Sequence, residues 1–329
     1  MVYIFQFSWT IILKALYIIS ARKKEKAWAI TYLKNLQQQY QAQLDDFTFY
    51  KIVNSYAIFT PVICDAFSLL NARKTNRNEK IRILHYFICS SIFDNFIDWN
   101  LLGEEELYQI SFQPEMYTAQ TISEKLFIES HLFLKSCVKN ANEYIEVTHK
   151  LFDVQQQSAQ QFNATLSEKD IESITLKKGG FSLLLCSYYF DREASVLEKN
   201  CWYALGEIIQ LTNDLYDIYK DLQHGSYTLA TRMKNVFVFE DYFKNLINQF
   251  MQAVENFAKP GKNKIQFAVS MAGVSAFGLI AIHQLKKHKN DENGSIDMKS
   301  LNRKDVIIDM EKFPNIVKWL YFVYKYGKL

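Results

Sequence analysis

The chain has 329 residues, 49% hydrophobic and 22% charged, with a formal net charge of +3. That composition can bury a large core, and it makes no case for nucleic acid, because no basic patch runs longer than Arg22-Lys23-Lys24 with Lys26. Ten Gly and four Pro are few for this length, which disfavours turn-rich strand folds and favours long helices.

The five cysteines, Cys64, Cys89, Cys137, Cys186 and Cys201, are widely spaced and form no C-x-x-C pair. Neither a zinc site nor a disulfide framework is indicated, and a reducing, cytoplasmic setting is the simplest reading. Aromatic residues are abundant, at 25 Phe, 20 Tyr and 5 Trp. Core packing accounts for them in general terms; a cavity lined by π faces for a carbocation is the sharper reading and needs a motif to support it.

In chain order, residues 1–20 are apolar apart from Lys14, with basic residues following rather than preceding, the reverse of a secretory signal. Residues 25–44 alternate apolar positions with Lys and Gln as an amphipathic helix does. Residues 47–70 read as a buried helix interrupted near Pro61, and residues 78–99 as a helix that stops before Gly103. Residues 103–120, with Pro114 and scattered charge, read as a loop; residues 123–163 are helical in more than one piece. Ser167 with Asp170 opens a helix leading to Lys177-Lys178-Gly179-Gly180, where the glycine pair is expected to loosen or break it. Ser195-Val-Leu-Glu198 fits a capping box, and the helix it starts runs to Gly225. Residues 236–258 form another helix, ended by Pro260-Gly261. Residues 265–285 have no charged side chain over a length that could span a bilayer, yet their Ala, Ser and Gly content suits a helix packed on all sides. A polar connection over 289–300 precedes a final helix over 310–326. With no internal repeat and no long linker, one all-helical domain over 1–329 is expected.

Two acidic motifs carry the chemistry. Asp94 and Asp98 stand four residues apart on one helical face among Ile92, Phe93, Phe96 and Ile97. Carboxylates in such apolar company are costly unless a hard cation offsets their desolvation, although a fraying helix end open to solvent would also accommodate them. Asn213, Asp217 and Asp221 are spaced i, i+4, i+8 and form one oxygen-bearing stripe. A solvated face explains Lys220 and Asp221 easily. It explains Asn213 poorly, because Ile208, Ile209, Leu211 and Leu215 place that stretch inside. Two such faces can oppose each other across a bundle cavity, where divalent ions and a polyanion such as diphosphate would relieve their repulsion.

Asn213-Asp214-Leu215-Tyr216-Asp217-Ile218-Tyr219-Lys220-Asp221 resembles the second metal motif of class I terpene synthases, with Asp217 in place of the usual Ser or Thr and Asp221 in place of the usual Glu. Asp94-Asn95-Phe96-Ile97-Asp98 resembles their aspartate-rich first motif, with Asn95 at its second position. Gln210-x-x-Asn213-Asp214-x-x-Asp217 is also similar to head-to-tail prenyl diphosphate synthases, and Gln210-Leu211-Thr212-Asn213 with Asp217, Asp221 and Gly225 follows the spacing of squalene and phytoene synthases. The resemblance implies an all-α isoprenoid synthase bundle with a central cavity. It implies Mg2+ as cofactor, three ions bound with the diphosphate of a prenyl substrate, held by Asp94, Asp98, Asn213, Asp217 and Asp221. Lys177 or Lys178 would act as a basic sensor, and Lys220, Tyr227, Arg232 and Lys234 would meet the leaving group. Phe87 and Phe181 are candidate cavity walls, with plain core packing as the alternative for each.

The expected activity is ionisation of a linear prenyl diphosphate of the farnesyl or geranylgeranyl class, followed by cyclisation or rearrangement. A prenyltransferase joining two prenyl units is the alternative, although no Gly-Lys-x-x-Arg-like second diphosphate site stands near the start of the chain. A non-catalytic helical or membrane-associated binding protein is the third reading. Peripheral membrane contact, through residues 1–20 or 265–285, and a homodimer both stay open.

Overall fold

The computed structural model describes residues 2–41 and 43–327, with side chains from Ser8 onward. Regular structure among them is helical; one antiparallel bridge, Asn235 to Ser295, is the only β-type pairing among the described residues. The chain forms two compact units, Met1–Ala141 with Tyr188–Arg192, and Asn142–Ser187 with Glu193–Leu329.

In the first unit α1 (Val2–Gln39) is one unbroken helix, so the apolar start and the amphipathic stretch after it belong to a single element. Its Ala29, Leu33 and Leu36 are buried. Helix α2 (Asp46–Phe59) starts at Asp45, whose carboxylate accepts from the Thr48 N–H at 2.9 Å. The interruption expected at Pro61 is a π turn, Thr60–Cys64, that passes directly into α3 (Asp65–Leu70). Proline has no N–H to give to the carbonyl four residues back. The ladder lengthens by one residue instead, with the Asp65 N–H reaching the Thr60 carbonyl.

Helix α4 (Arg77–Asp98) opens with a reciprocal capping box between Asn76 and Glu79. Glu79 is wholly buried, and Arg73 pairs with both its oxygens at 2.7 and 2.9 Å while the Asp191 N–H donates to it at 2.8 Å. A buried carboxylate so surrounded is satisfied, and removing Arg73 alone would cost several kcal/mol, about 3–5.

Residues 103–120 depart from the expected loop: α5 (Glu104–Phe112) occupies the first half. The charge that looked scattered is a run of Glu104, Glu105 and Glu106 in the first turn, where carboxylates favour the helix dipole, and Glu106 bonds back to the Gly103 N–H at 2.8 Å. Helix α6 (Ile122–Cys137) completes the unit by packing on α4.

The second unit starts with α7 (Ala141–Ser158), followed by α8 (Glu168–Cys186) and α9 (Val196–His224). Ser167 and Ser195 cap their helices by accepting from the Asp170 and Glu198 N–H groups, the serine half of the box expected at Ser195, and α9 ends on Gly225 at φ 73°, a left-handed turn that favours glycine. The break expected at Gly179-Gly180 is absent, because α8 runs straight through it. Those glycines serve packing instead. A Cβ on Gly179 would stand 2.3 Å from the Gly206 carbonyl oxygen, and one on Gly180 would meet the Tyr203 ring at 2.5 Å. Bare backbone lets α8 and α9 cross in direct contact.

Helices α10 (Val236–Phe257) and α11 (Lys262–Leu285) follow, then the short α12 (Arg303–Val306) and α13 (Phe313–Tyr326). By length and composition Asp46–Leu70 and Lys262–His288 could each cross a membrane, but their apolar windows are 61% and 78% buried within the protein. Helix α11 packs against α9, α10 and α13, with Gly278 under the Phe243 ring and Gly273 under Trp319. It is the core helix of this unit.

Candidate functional site

The first motif lies at the end of α4. Asp94 is partly exposed and pairs with Lys51 of α2 at 3.0 Å; Asp98, a turn later, is exposed. Asn95 turns the other way. It is buried and donates its amide to the Thr48 hydroxyl at 2.8 Å, so the departure from the aspartate-rich pattern falls on a residue that ties α4 to α2. Phe87, on the same helix, stands edge-on to Phe59 with centroids 5.2 Å apart.

The second motif lies along α9. Each residue turns the helix by about 100°, so Leu211, Asp214, Leu215 and Ile218 share its buried side while Asn213, Asp217 and Lys220 stand on its open side. Asn213 is therefore exposed, against the expectation that its apolar neighbours would carry it inside. The buried polar residue is its neighbour Asp214. Asp214 accepts from the Gln210 amide at 2.9 Å and from the Thr175 hydroxyl at 3.4 Å. Burial raises its carboxyl to about 6, opposed by the Gln210 bond and by the Lys178 charge.

Asp221, half-buried, rises to about 7 through burial and then through the charges of Asp214 and Asp217, with Lys220 and Lys178 acting in the other direction. Glu207, two turns before Asp214, is pushed up to about 7 by burial. Three carboxyls on one helix thus lie above their ordinary range, chiefly because burial disfavours their charged forms, with like charge adding to the shift at Asp214 and Asp221. Lys178 sits on α8, one turn from Thr175 and next to the glycine crossing, which is how its charge reaches Asp214 and Asp221. Lys177 and Lys220 are exposed. Phe181 lies edge-on to Tyr203, with centroids 5.2 Å apart.

The basic residues after the motif are engaged with backbone. Arg232 donates to the Leu166 carbonyl at 2.6 Å and the Ala164 carbonyl at 3.3 Å, and its guanidinium lies 5.2 Å from the Tyr227 ring centroid. The Tyr227 N–H bonds to the Gln161 carbonyl at 2.7 Å. Lys234 pairs with Glu168 at 2.7 Å, both exposed. Arg232 and Tyr227 hold the segment before α8, a role the sequence alone did not suggest.

Among the described residues no group of three or more His, Cys, Asp or Glu converges on a point that could hold a metal ion. The donor set nevertheless suits magnesium bound together with a ligand. Asn213, Asp217 and Asp221 offer one neutral and two carboxylate oxygens along a line, fewer than the six that ion takes, with water and phosphate oxygens to complete its shell. Asp214 and Asp217 add like charge at Asp221, second to its burial, and a cation bound there would relieve that repulsion.

Thr175, Glu207 and Lys51 were not among the expected site residues, and Gln210 and Asp214 stood in the resembling motifs without a role of their own. Gln210 and Asp214 are i and i+4, a spacing that signals a helical hydrogen bond. Lys51 gives no signal in sequence, since its partner is 43 residues away.

No protein-family model matches the chain, and no curated protein matches it. Among solved structures it is similar to a dehydrosqualene synthase crystallised in complex with ligand, with 15% sequence identity, 88% of this chain and 98% of that chain covered, and a TM-score of 0.48. At that identity the likeness says nothing of individual side chains.

Proposed function

We propose that this chain is a magnesium-dependent enzyme of the class I isoprenoid synthase type. It would ionise a linear prenyl diphosphate and let the allyl cation cyclise or rearrange. The observation that supports the reading best is the α9 stripe: Asn213 and Asp217 exposed, the half-buried Asp221 a turn on, and Lys178 of α8 near enough for its charge to act on Asp214 and Asp221.

Magnesium, when bound, would supply Lewis-acid stabilisation of the charge that builds on the departing diphosphate. On the protein's side, Asn213, Asp217 and Asp221 would hold a cation at the open side of α9, and Asp94 and Asp98 one at the end of α4. Lys178, with its neighbour Lys177 and with Lys220 of α9, would meet the diphosphate oxygens as their charge grows. Aromatic rings would stabilise the hydrocarbon cation once water is excluded. Phe181–Tyr203 in the second unit and, separately, Phe59–Phe87 in the first are candidates for such rings.

A second reading joins two prenyl diphosphates head to head. What supports it is the spacing of Gln210, Asn213, Asp217, Asp221 and Gly225 on and just after α9, which resembles squalene and phytoene synthases.

Incubation with farnesyl and geranylgeranyl diphosphates, with and without isopentenyl diphosphate, separates the readings. A hydrocarbon or alcohol of unchanged carbon number supports cyclisation, a doubled skeleton supports joining, and a longer diphosphate indicates head-to-tail elongation. Absence of diphosphate release with every divalent metal tried would sink the enzyme reading. Undiminished magnesium-dependent release in both Asp94→Ala and Asn213→Ala would remove the assigned ligands.

A further inference from the structure

The outer face of α1 carries an apolar line that the protein itself leaves uncovered. Trp9, Leu16 and Ile19 are 61%, 60% and 67% exposed, and Ile12 and Leu13 beside them are each 49% exposed. These positions recur at the three- and four-residue steps of one helical side. Steps of seven residues drift by only about 20°, so Trp9 and Leu16 point along the same line as Lys23. Arg22, Lys23 and Lys24 are all exposed, and residues 1–24 contain no Asp or Glu.

The opposite side of the same helix is occupied. Ile11 is buried, the Tyr17 hydroxyl donates to Asp65, and Glu25 accepts from the Tyr56 hydroxyl at 2.7 Å. Lys14 is turned toward Asp65, and burial lowers its pKa. The helix is thus bound to its unit along one side and bare along the other.

We propose that this bare side seats the protein on an anionic lipid surface, with α1 lying in the plane of the interface. An apolar stripe that includes Trp9 and continues into exposed cations is what a bilayer of anionic lipids complements. The hydrocarbon boundary covers Leu13, Leu16 and Ile19, the headgroups meet Arg22, Lys23 and Lys24, and Trp9 sits at the level between. A second copy of the chain stacked on the stripe would bring like charges together and would offer no acid from residues 1–24. A spanning helix would have to pull Ile11, Tyr17 and Glu25 away from their partners. The inference does not depend on the reaction catalysed.

The test uses the full chain in vesicle co-sedimentation, with phosphatidylcholine vesicles against vesicles in which about a third of the lipid is phosphatidylglycerol. The chain is expected to sediment with the anionic vesicles and not the neutral ones, and to be released by high salt. Each cation near an anionic surface is worth about a fivefold factor in partition, so Arg22→Gln/Lys23→Gln/Lys24→Gln should lower it by about a hundredfold. Leu13→Gln/Leu16→Gln/Ile19→Gln should also abolish it, with helix content retained because glutamine is a good helix former. Brominated lipid should quench the wild type more than Trp9→Phe, and this difference decides the matter if the apolar variant loses structure. The proposal is overturned by absence of binding to anionic vesicles, by partition that neither triple variant changes, or by equal quenching of wild type and Trp9→Phe. It is equally overturned by binding that resists alkaline carbonate, which marks a spanning helix, or by a dimer that Leu16→Gln dissolves while no vesicle binding is seen.

Discussion

Gly179 and Gly206 meet backbone to backbone: a Cβ on the first would lie 2.3 Å from the carbonyl oxygen of the second, and the reverse distance is 2.2 Å. Neither obstacle is a side chain that could swing aside. Gly179→Ala or Gly206→Ala should therefore lower stability by about 2 kcal/mol, despite the roughly 1 kcal/mol that alanine gains over glycine within a helix. Chemical denaturation should show a lower midpoint with an unchanged slope. A variant as stable as the wild type would mean that the helices can separate freely.

Lys51 should act as a competitor at the first motif. It holds Asp94 at 3.0 Å, with both side chains about one-third exposed. An exposed pair of this kind is worth less than about 1 kcal/mol, so Lys51→Ala should lower the half-saturating magnesium concentration by up to about fivefold. A rise in that concentration would place Lys51 on the side of the substrate.

Asn95→Asp, which restores the family-like residue, should not improve activity. Asn95 is buried and gives its amide to Thr48, so the exchange puts a carboxylate where an amide donates. Stability should fall by about 1–3 kcal/mol, with magnesium dependence unchanged. A thermal melt and a magnesium titration together check this.

Glu207 predicts a pH dependence. Its folded pKa, near 7, lies above the ordinary value of 4.5. The folded state therefore binds the extra proton, and the stability this gives is complete below about 4.5 and is lost as pH rises through about 7. Glu207→Gln should make the metal-free protein less sensitive to that rise. The gain at pH 8 should be about 1 kcal/mol, after allowance for the group's partial exposure. Melting temperatures at pH 5 and pH 8 measure it, and parallel shifts in both proteins would contradict it.

Arg232→Ala should loosen residues 161–167. The side chain gives hydrogen bonds to the Leu166 and Ala164 carbonyls, so its removal leaves that turn held mainly by the Tyr227–Gln161 bond. Amide exchange there should rise without any substrate present. No change would leave Arg232 available for the diphosphate role first expected of it.

Helical periodicity made α4, α8, α9 and α10 legible in the sequence, because their apolar positions and caps agree. The stripe on α9 was legible for the same reason. What sequence did not carry was orientation to within one residue. Asn213 and Asp214 are neighbours, and apolar residues flank both, so only packing against α8 decides that Asp214 is the buried one. Gly179-Gly180 was misread because a glycine pair within a helix lowers propensity whether it marks a break or a close crossing, and the partner glycine is 27 residues away. Helix α5 was missed because three glutamates resemble a solvated loop until they are placed in a first turn.

The burial of α11 has a consequence for the order of folding. Its neighbours α9 and α10 precede it in the chain, but Trp319, which covers Gly273 and donates to that residue's carbonyl at 2.9 Å, belongs to α13. During synthesis residues 265–285, which carry no charged side chain, emerge before Trp319, and the flank that it covers stays bare until α13 has left the ribosome and docked. In that interval the segment has the length and hydropathy of a membrane-crossing helix. Slow elongation over the polar stretch between α11 and α13 would prolong that exposure and invite capture by holdase chaperones or the membrane insertion machinery.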